Sequence, residues 1–386
     1  MIPPIAARIP LVRRPKAPGL PLGERINELT ALAIPPADAG HRVLVARASG
    51  VLNYAALVAS DVGMPDLAAQ LCWRQHRVFA EAGRLTGDIA VMALMPVVNI
   101  ARLLIREGDG EGAYEVLGRL YRAAQRRGTT EIRDQAVDLS LLTGTDADHR
   151  KVCEELWVTV LIDGARALAR IGRWTEAAET MAAYRGLGNR LLDGRQIMIM
   201  SMMERGLDRQ ARAMIEATVP AEPWENAVAA LLRACCPPRQ PEPDLALMEV
   251  LPVIAPPDPA TAAFQARVGL TALDLCRESM NSDAALVRDA LVDVAVLDAY
   301  AARDILTHGP LRSRLSGGQT RELQAVLTAS GLGAGSLAAV HAHALAGAVD
   351  AAESALRRQL LTCPSDDRVV ADNNAGPPPR PHDVCR

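Results

Sequence analysis

Two pairs of neighbouring side chains in this sequence have the chemistry to bind a metal ion or to take part in redox reactions. His341 and His343 are separated by one residue in "VHAHAL", and Cys235 is directly followed by Cys236. Residues two positions apart on a helix point about 200° away from each other, so the two imidazoles cannot easily share one ion. The vicinal cysteines precede a proline-rich stretch, where they are expected to fill a core. We therefore predict neither a metal site nor a cofactor at these positions.

Aspartates at helix ends are the magnesium ligands of all-α isoprenoid synthases, and the chain offers two candidate sets. Asp146 and Asp148 lie in "TDADH", and Asp366, Asp367 and Asp372 lie near the C-terminus. The first set is typical of a helix N-terminus, and the second lies in a segment with no apolar face to bury. An all-α enzyme stays an alternative, but the sequence favours a protein without catalytic residues.

Three glycine-rich strings resemble nucleotide-binding motifs. "LSGGQ" (315–319) is identical to the signature motif of ABC-type ATPases, but the sequence has no G-x-x-x-x-G-K-[ST] motif and no Lys after residue 151. Ser316 followed three residues later by Gln319 instead predicts a capping box at the start of a helix. "GDGEG" (108–112) and "GLGAG" (331–335) follow no plausible strand, so both are predicted turns between helices.

Composition favours an all-α protein. Of 386 residues 49% are hydrophobic but only 3% are aromatic, so a core must consist of Ala, Leu, Val, Ile and Met, which suit packed helices. The formal net charge of -3 gives no basis for nucleic-acid binding, which depends on clustered positive charge. Lys16 and Lys151 are the only lysines, a bias typical of GC-rich genomes such as those of actinobacteria.

Cysteine usage and hydropathy predict a cytoplasmic protein without a membrane segment. The seven cysteines show no C-x-x-C spacing, and their odd number fits reduced thiols better than a disulfide framework. The N-terminus lacks the apolar core of an export signal. The longest apolar run, residues 89–101, has 13 residues and contains Pro96, which is too short to cross a bilayer. We expect a buried helix there.

The chain divides into five predicted segments. Residues 1–25 carry six prolines and are expected to be a disordered, mobile arm, and residues 364–386 a disordered tail. Between these ends lie a helical array (26–234), a proline-rich break (235–259) that we interpret as a subdomain boundary, and C-terminal helical repeats (260–363). The helices between 260 and 330 are either diverged repeats or a separate helical lobe.

A Gly residue five positions before an Ala recurs at five predicted helix boundaries. The pairs are Gly63 and Ala68, Gly108 and Ala113, Gly172 and Ala177, Gly206 and Ala211, and Gly347 and Ala352. Glycine can take the left-handed conformation that ends one helix, and a small Ala one turn into the next helix lets the two backbones approach closely. We expect Trp174, between Gly172 and Ala177, to fill the space between the paired helices.

This pattern resembles the tetratricopeptide repeat, a 34-residue helix pair with Gly and Ala at that spacing. Gly172 and Gly206 are 34 residues apart, and the resemblance covers about 50–225 well and about 330–364 as a closing pair. It implies an α-solenoid of antiparallel helix hairpins, wound as a right-handed superhelix with a concave groove.

In such arrays the first helix of each pair lines the groove, and polar residues on it are the usual ligand contacts. The corresponding residues here are Asn53, Asn99, Arg102, Arg106, Asp163, Arg166, Arg170 and His341. Arg102 and Arg106 share a helix face, as do Arg166 and Arg170, so each pair could present forked donors to a carboxylate.

The resulting functional hypothesis is a non-catalytic module that binds a protein or peptide, with a partner that carries acidic groups as one option. It would act as an adaptor, an assembly factor or a regulator. A regulatory domain that senses a small ligand or peptide is the alternative, and an enzyme a more distant one. A homodimer is compatible with the sequence, whereas nucleic-acid and membrane partners are not expected.

Overall fold

The chain is mostly helical, as its composition predicts. A computed structural model describes residues 3–183, 186–236, 243–275 and 282–361. Helices account for 72% of the structure and strands for 3%. In chain order the elements are α1 (Pro3–Ala6), α2 (Leu22–Leu32), α3 (His41–Val62), α4 (Pro65–Glu81), α5 (Gly87–Glu107), α6 (Gly110–Gln125), β1 (Thr129–Ile132), β2 (Gln135–Asp138), α7 (Asp146–Thr159), a π-helical turn (Val160–Gly164), α8 (Ala165–Arg170), α9 (Trp174–Ala183), α10 (Asp193–Glu204), α11 (Asp208–Glu216), α12 (Pro223–Cys235), α13 (Pro243–Ile254), α14 (Ala262–Leu275), α15 (Ser282–Ala295), α16 (Ala299–Thr307), α17 (Gly309–Arg312), α18 (Gly317–Ser330) and α19 (Ala339–Leu361).

The helices form two compact units, each built from separate stretches of the chain. Among the described residues, unit 1 comprises 3–21, 108–114 and 161–332, and unit 2 comprises 22–107, 115–160 and 333–361. The stretch 235–259, where we expected a subdomain boundary, falls inside unit 1. Helix α13 occupies much of that stretch, packs against α12 and α14, and buries Leu247, Val250 and Ile254. A proline at the first position of a helix is compatible with helix formation, so a proline-rich sequence can still start one here.

Four of the five predicted glycine corners are confirmed. All four have positive φ: Gly63 (88°), Gly108 (89°), Gly172 (81°) and Gly206 (70°). At Gly172 the N–H groups of Gly172 and Arg173 donate to the carbonyls of Ala169 and Leu168, both at 3.0 Å, which is the Schellman pattern for ending a helix. The alanines that follow the four corners are completely buried: Ala68, Ala113, Ala177 and Ala211.

The fifth prediction, a helix boundary at Gly347, is wrong. Gly347 lies in the middle of α19, a continuous helix of 23 residues in unit 2. Its neighbours are mostly Ala, Leu and other strong helix formers, which keep the chain helical through a single glycine. Ala352 is nevertheless buried, because α19 packs lengthwise against α3.

The N-terminal stretch differs from the mobile arm expected for residues 1–25. Ile5, Ile9 and Leu11 are buried in the core of unit 1, and α2 begins at Leu22. Proline-rich composition predicts a chain without regular structure, but such a chain can still be ordered when its apolar residues pack against the core of a folded unit. The predicted tail, 364–386, lies outside the described residues.

A short β-hairpin in unit 2 has no counterpart in our prediction. Strands β1 and β2 pair antiparallel, with Ile132 opposite Gln135. The two residues between them, Arg133 and Asp134, have φ of 47° and 60°, as a type I′ turn requires. Arg-Asp lacks the glycine that usually marks such a turn, which explains why the sequence did not reveal the hairpin.

Helices α3 and α5 are long and apolar enough, by length and composition alone, to cross a membrane. Their most apolar windows have mean hydropathies of 1.4 and 1.9. Within those windows 50% and 61% of the residues are buried inside the protein. Buried core helices pass the same test of length and composition, so these two helices are weak evidence for a membrane segment.

The four cysteines within the described residues are reduced thiols, and Cys72 is the most protected. Its side chain is 1% exposed on α4, and burial raises its pKa to about 12. Because the thiolate is the reactive species, we expect iodoacetamide at pH 8 to alkylate Cys72 at least about 100-fold more slowly than the half-exposed Cys153. Peptide mapping by mass spectrometry measures both rates, and similar rates at the two sites would contradict this burial of Cys72.

Candidate binding site

The predicted groove residues of unit 2 form a hydrogen-bonded row between α3 and α5. Asn99 donates to Asn53, with 3.1 Å between Nδ2 and Oδ1, and Arg102 donates to Asn99 at 3.2 Å. All three side chains are half-buried. Such bonds satisfy the hydrogen-bonding groups of polar side chains at the contact between two helices. The presence of these residues is therefore explained without a bound ligand.

Arg106 continues along the same face of α5 and binds the end of α3. It donates to the hydroxyl of Ser60 at 3.0 Å and to the carboxylate of Asp61 at 2.7 Å. Asp61 is 1% exposed and also binds Arg25 of α2 at 2.6 Å. His341, on α19, lies next to Gly23, and within the described chain no hydrogen bond connects it to the asparagine row.

The predicted groove residues of unit 1 follow the π-helical turn that contains Asp163. Arg166, on α8, donates through Nε to Asp193 at the start of α10, and Asp193 also pairs with Arg14. Burial alone would raise the pKa of Asp193, but the two guanidinium groups outweigh it and lower the pKa. Arg170, one turn beyond Arg166, is exposed and has no hydrogen bond or ion pair among the described residues.

Two arginines that the sequence reading missed belong with this group. Arg267 lies on α14 and Arg303 on α16. Asp304 contacts both, with its carboxylate 3.9 Å from Nε of Arg267 and 3.0 Å from Nη2 of Arg303. No local pattern marks them, because both lie more than a hundred residues after Arg166 in a region without the glycine and alanine signature. We call Arg166, Arg170, Arg267 and Arg303 the arginine cluster.

The charges around Arg267 are unbalanced. Its side chain is 41% accessible to solvent, yet the surrounding protein desolvates the guanidinium and lowers its pKa. Asp304 opposes that shift, whereas Arg170, Arg166 and Arg303 add to it through charge repulsion. Two carboxylates, Asp304 and the Arg166 partner Asp193, thus face four guanidinium groups, which stay protonated because arginine is not deprotonated in proteins. A bound anion would relieve this repulsion and use donors that solvent can reach.

The remaining motifs have structural roles. Ser316 and Gln319 form the predicted capping box at the start of α18, with reciprocal bonds of 3.2 and 2.9 Å. In the "GLGAG" loop Gly333 and Gly335 have positive φ and donate to backbone carbonyls of α3. Asp148 accepts from Thr145, the N-cap residue of α7. Over the described part of the chain, no group of three or more His, Cys, Asp or Glu side chains could hold a metal ion.

Comparisons with known proteins give no match: no family model, no curated protein and no solved structure matches this sequence.

Proposed function

We propose that the protein is a non-catalytic binding module whose arginine cluster takes an acidic segment of a partner protein or peptide. The observation that supports this most directly is the charge imbalance around Arg267. Arg166, Arg170 and Arg303 repel the guanidinium of Arg267, and Asp304 opposes them, while Arg166 is also paired with Asp193. In this role the protein would serve as an adaptor, an assembly factor or a regulator.

The donors of the cluster suit several carboxylates better than a single small ion. Arg166 and Arg170 lie one turn apart on α8, and Arg267 and Arg303 lie on two further helices. Each guanidinium can bind a carboxylate through two parallel hydrogen bonds, which an ammonium group cannot do. An acidic segment with several Asp or Glu side chains can place one carboxylate at each arginine. Although the whole chain carries a net charge of -3, a local positive region can still attract such a segment.

We further propose that the helix pairs stack as a right-handed array similar to tetratricopeptide repeats. Two consecutive pairs in unit 1, α8 with α9 and α10 with α11, have the glycine corner and the buried alanine of that family, 34 residues apart. The pair α3 and α4 in unit 2 has the same corner. In this arrangement α8 would be a first helix of its pair, which is the position from which the family contacts ligands.

A labelled acidic peptide tests the binding proposal. We expect fluorescein-labelled hexaglutamate to bind the full chain in a fluorescence anisotropy titration, and the affinity to fall as salt rises because the contacts are ionic. Arg170→Gln and Arg267→Gln should each weaken binding roughly 10-fold or more, since a charge-assisted hydrogen bond contributes about 1.5 to 3 kcal/mol. Labelled hexalysine should not bind the cluster.

Arg209→Gln is the matched control. Arg209 is also an exposed arginine on a helix of unit 1, but it does not act on Arg267. Its substitution should leave the affinity within a factor of two. If hexaglutamate does not bind, or if all three variants weaken it equally, the arginine cluster is not an acidic-peptide site.

A further inference from the structure

The N-terminal stretch packs on unit 1 in the way that a bound peptide would. We call residues 5–19 the strap. From residue 11 onward the strap is neither helix nor strand, and it contacts α10, α14, α16 and the residues before α14. Its contacts fall into three kinds: bonds to its main chain, ion pairs to its arginines, and buried apolar side chains.

The main chain of the strap is held at three places by groups of unit 1, and at one of them the N–H of Lys16 donates to the carbonyl of Ala260 at 2.9 Å. At Leu11 the N–H donates to Oε1 of Gln196 and the carbonyl accepts from Nε2 of Gln196, both at 2.7 Å. Gln196 is fully buried on α10. At Gly19 the N–H donates to Asp298 at 2.7 Å, and the carbonyl accepts from the N–H of Ala299 at 3.3 Å. Bonds to a main chain do not depend on side chains, so this surface can hold any peptide of suitable conformation.

Ion pairs fix the direction of the strap. Arg8 binds Asp274 at 2.6 Å, and Arg14 binds Asp193. Further along, the ammonium group of Lys16 lies 3.8 Å from the centre of the Tyr300 ring. Unit 1 therefore presents carboxylates and an aromatic face to a basic segment, in contrast to the arginine cluster.

The two carboxylates that pair with Arg8 and Arg14 keep another partner within unit 1. Asp274 also contacts Nε2 of His308 at 2.9 Å, and Asp193 also pairs with Arg166. At the far end, the second oxygen of Asp298 accepts from the N–H of Ala301 and caps α16. Departure of the strap would therefore leave each of these carboxylates with a hydrogen-bond partner, which avoids the cost of an unsatisfied buried polar group.

The apolar contacts of the strap indicate that a partner peptide would replace the strap, because the surface beneath it would otherwise be exposed to solvent. Ile5, Ile9 and Leu11 are at most 4% exposed, so their departure would uncover apolar surface of the core. Gly19 lies against α16 so closely that an added Cβ would be 3.1 Å from Cβ of Ala299. A replacement peptide must supply an apolar residue in the position of Leu11 and a glycine in the position of Gly19.

We propose that the strap is an intramolecular ligand, and that the surface beneath it binds a basic partner peptide with the same pattern. That pattern is Arg, an apolar residue three positions later, Arg three positions after that, and Gly five positions further on. The strap competes with this partner at the high effective concentration that a covalent link provides. This surface adjoins the arginine cluster at Asp193, which pairs with both Arg14 and Arg166, but the inference does not rest on the function proposed above.

Binding of the strap sequence in trans tests the proposal with the full chain. The probe is a fluorescein-labelled peptide with the sequence of residues 5–20. We expect weak binding to the wild type, because the strap occupies its own site, and at least tenfold tighter binding to the double variant Arg8→Ala, Arg14→Ala. Adding Gln196→Leu to that variant should abolish the gain, because the peptide loses its main-chain partner. A probe with Glu in place of both arginines should not bind.

Equal binding of the probe to the wild type and to the folded double variant would overturn the proposal. Circular dichroism shows whether the variants are folded. If they are not, hydrogen exchange of the wild type decides the question. The amide of Leu11 should exchange at least 100-fold faster than the amides in the middle of α14, because the strap opens while unit 1 stays folded. Exchange at the same rate as α14 would mean that the strap leaves only on unfolding, and the proposal would be wrong.

Discussion

Truncation of Trp174 to Ala should destabilise unit 1 by about 3 to 5 kcal/mol, the usual range for removing a buried tryptophan. Trp174 is the first residue of α9 and is 3% exposed. It belongs to the same buried cluster as Leu168 of α8 and Ile197 of α10. The two helices that pack against α9 would face a cavity, and cavities of this kind collapse only in part.

Hydrogen exchange measured by mass spectrometry locates this effect, because it follows the amides of α8, α9 and α10 separately from those of unit 2. Arg173→Ala is the control at the adjacent position. Arg173 is partly exposed and pairs with Glu176 and Glu111 at the surface, where solvent screens such pairs, so its loss should destabilise unit 1 far less than the loss of Trp174. A change below about 1 kcal/mol for Trp174→Ala would show that the ring does not hold the helix pair together.

The helix corners could be predicted from the sequence because their cause is local. A glycine with positive φ ends a helix through its own backbone, and the small residue that follows needs no distant partner. The same argument failed at Gly347, where the neighbouring residues favour helix strongly enough to pass through one glycine. A local signal is therefore reliable only where the flanking residues also favour a break.

The packing of the strap could not be predicted, since its cause lies far away in the chain. Six prolines and little periodicity fit the irregular backbone of residues 11–21, although α1 and the start of α2 lie on either side. Burial of Leu11, however, depends on Gln196, which follows it by 185 residues. The division into units is equally non-local, because unit 1 combines residues near the N-terminus with residues beyond 161.

The candidate site was predictable to the extent that it lies on one helix. Arg166 and Arg170 share a face because they are four residues apart, and Asn99 and Arg102 are in contact because they are three apart. The other arginines of the cluster lie on two other helices. Arg267 and Arg303 join Arg166 only through the tertiary fold, and their own sequence neighbourhoods lack the pattern of Gly followed five residues later by Ala.

The second large effect is expected in unit 2, at the carboxylate of Asp61. Asp61→Ala should lower the stability of unit 2 by about 3 to 5 kcal/mol, the cost of removing one partner from a buried ion pair. The carboxylate is 1% exposed and binds Arg25, which is itself 3% exposed. Without it the guanidinium of Arg25 would lose its 2.6 Å partner in a place that water reaches poorly.

The position of Asp61 supports this reading of its role. Asp61 lies in the last turn of α3, where the helix dipole disfavours a negative charge. The location is nevertheless favourable because two cations, Arg25 and Arg106, surround the carboxylate. Replacement by Ala therefore removes far more than a surface ion pair, and Asp61→Asn should also destabilise, since an amide cannot neutralise Arg25.

Asp88→Ala is the matched control for Asp61→Ala. Asp88 also binds two cations, Arg42 and Lys151, but all three side chains are at least one-third exposed. Solvent screens such pairs, so their loss should cost less than about 1 kcal/mol. Urea denaturation followed by hydrogen exchange of α2 and α3 compares the two variants. Asp61 and Asp88 have the same number of partners and differ in burial. Equal losses of unfolding free energy in Asp61→Ala and Asp88→Ala would therefore show that burial does not set the cost, and would contradict the argument.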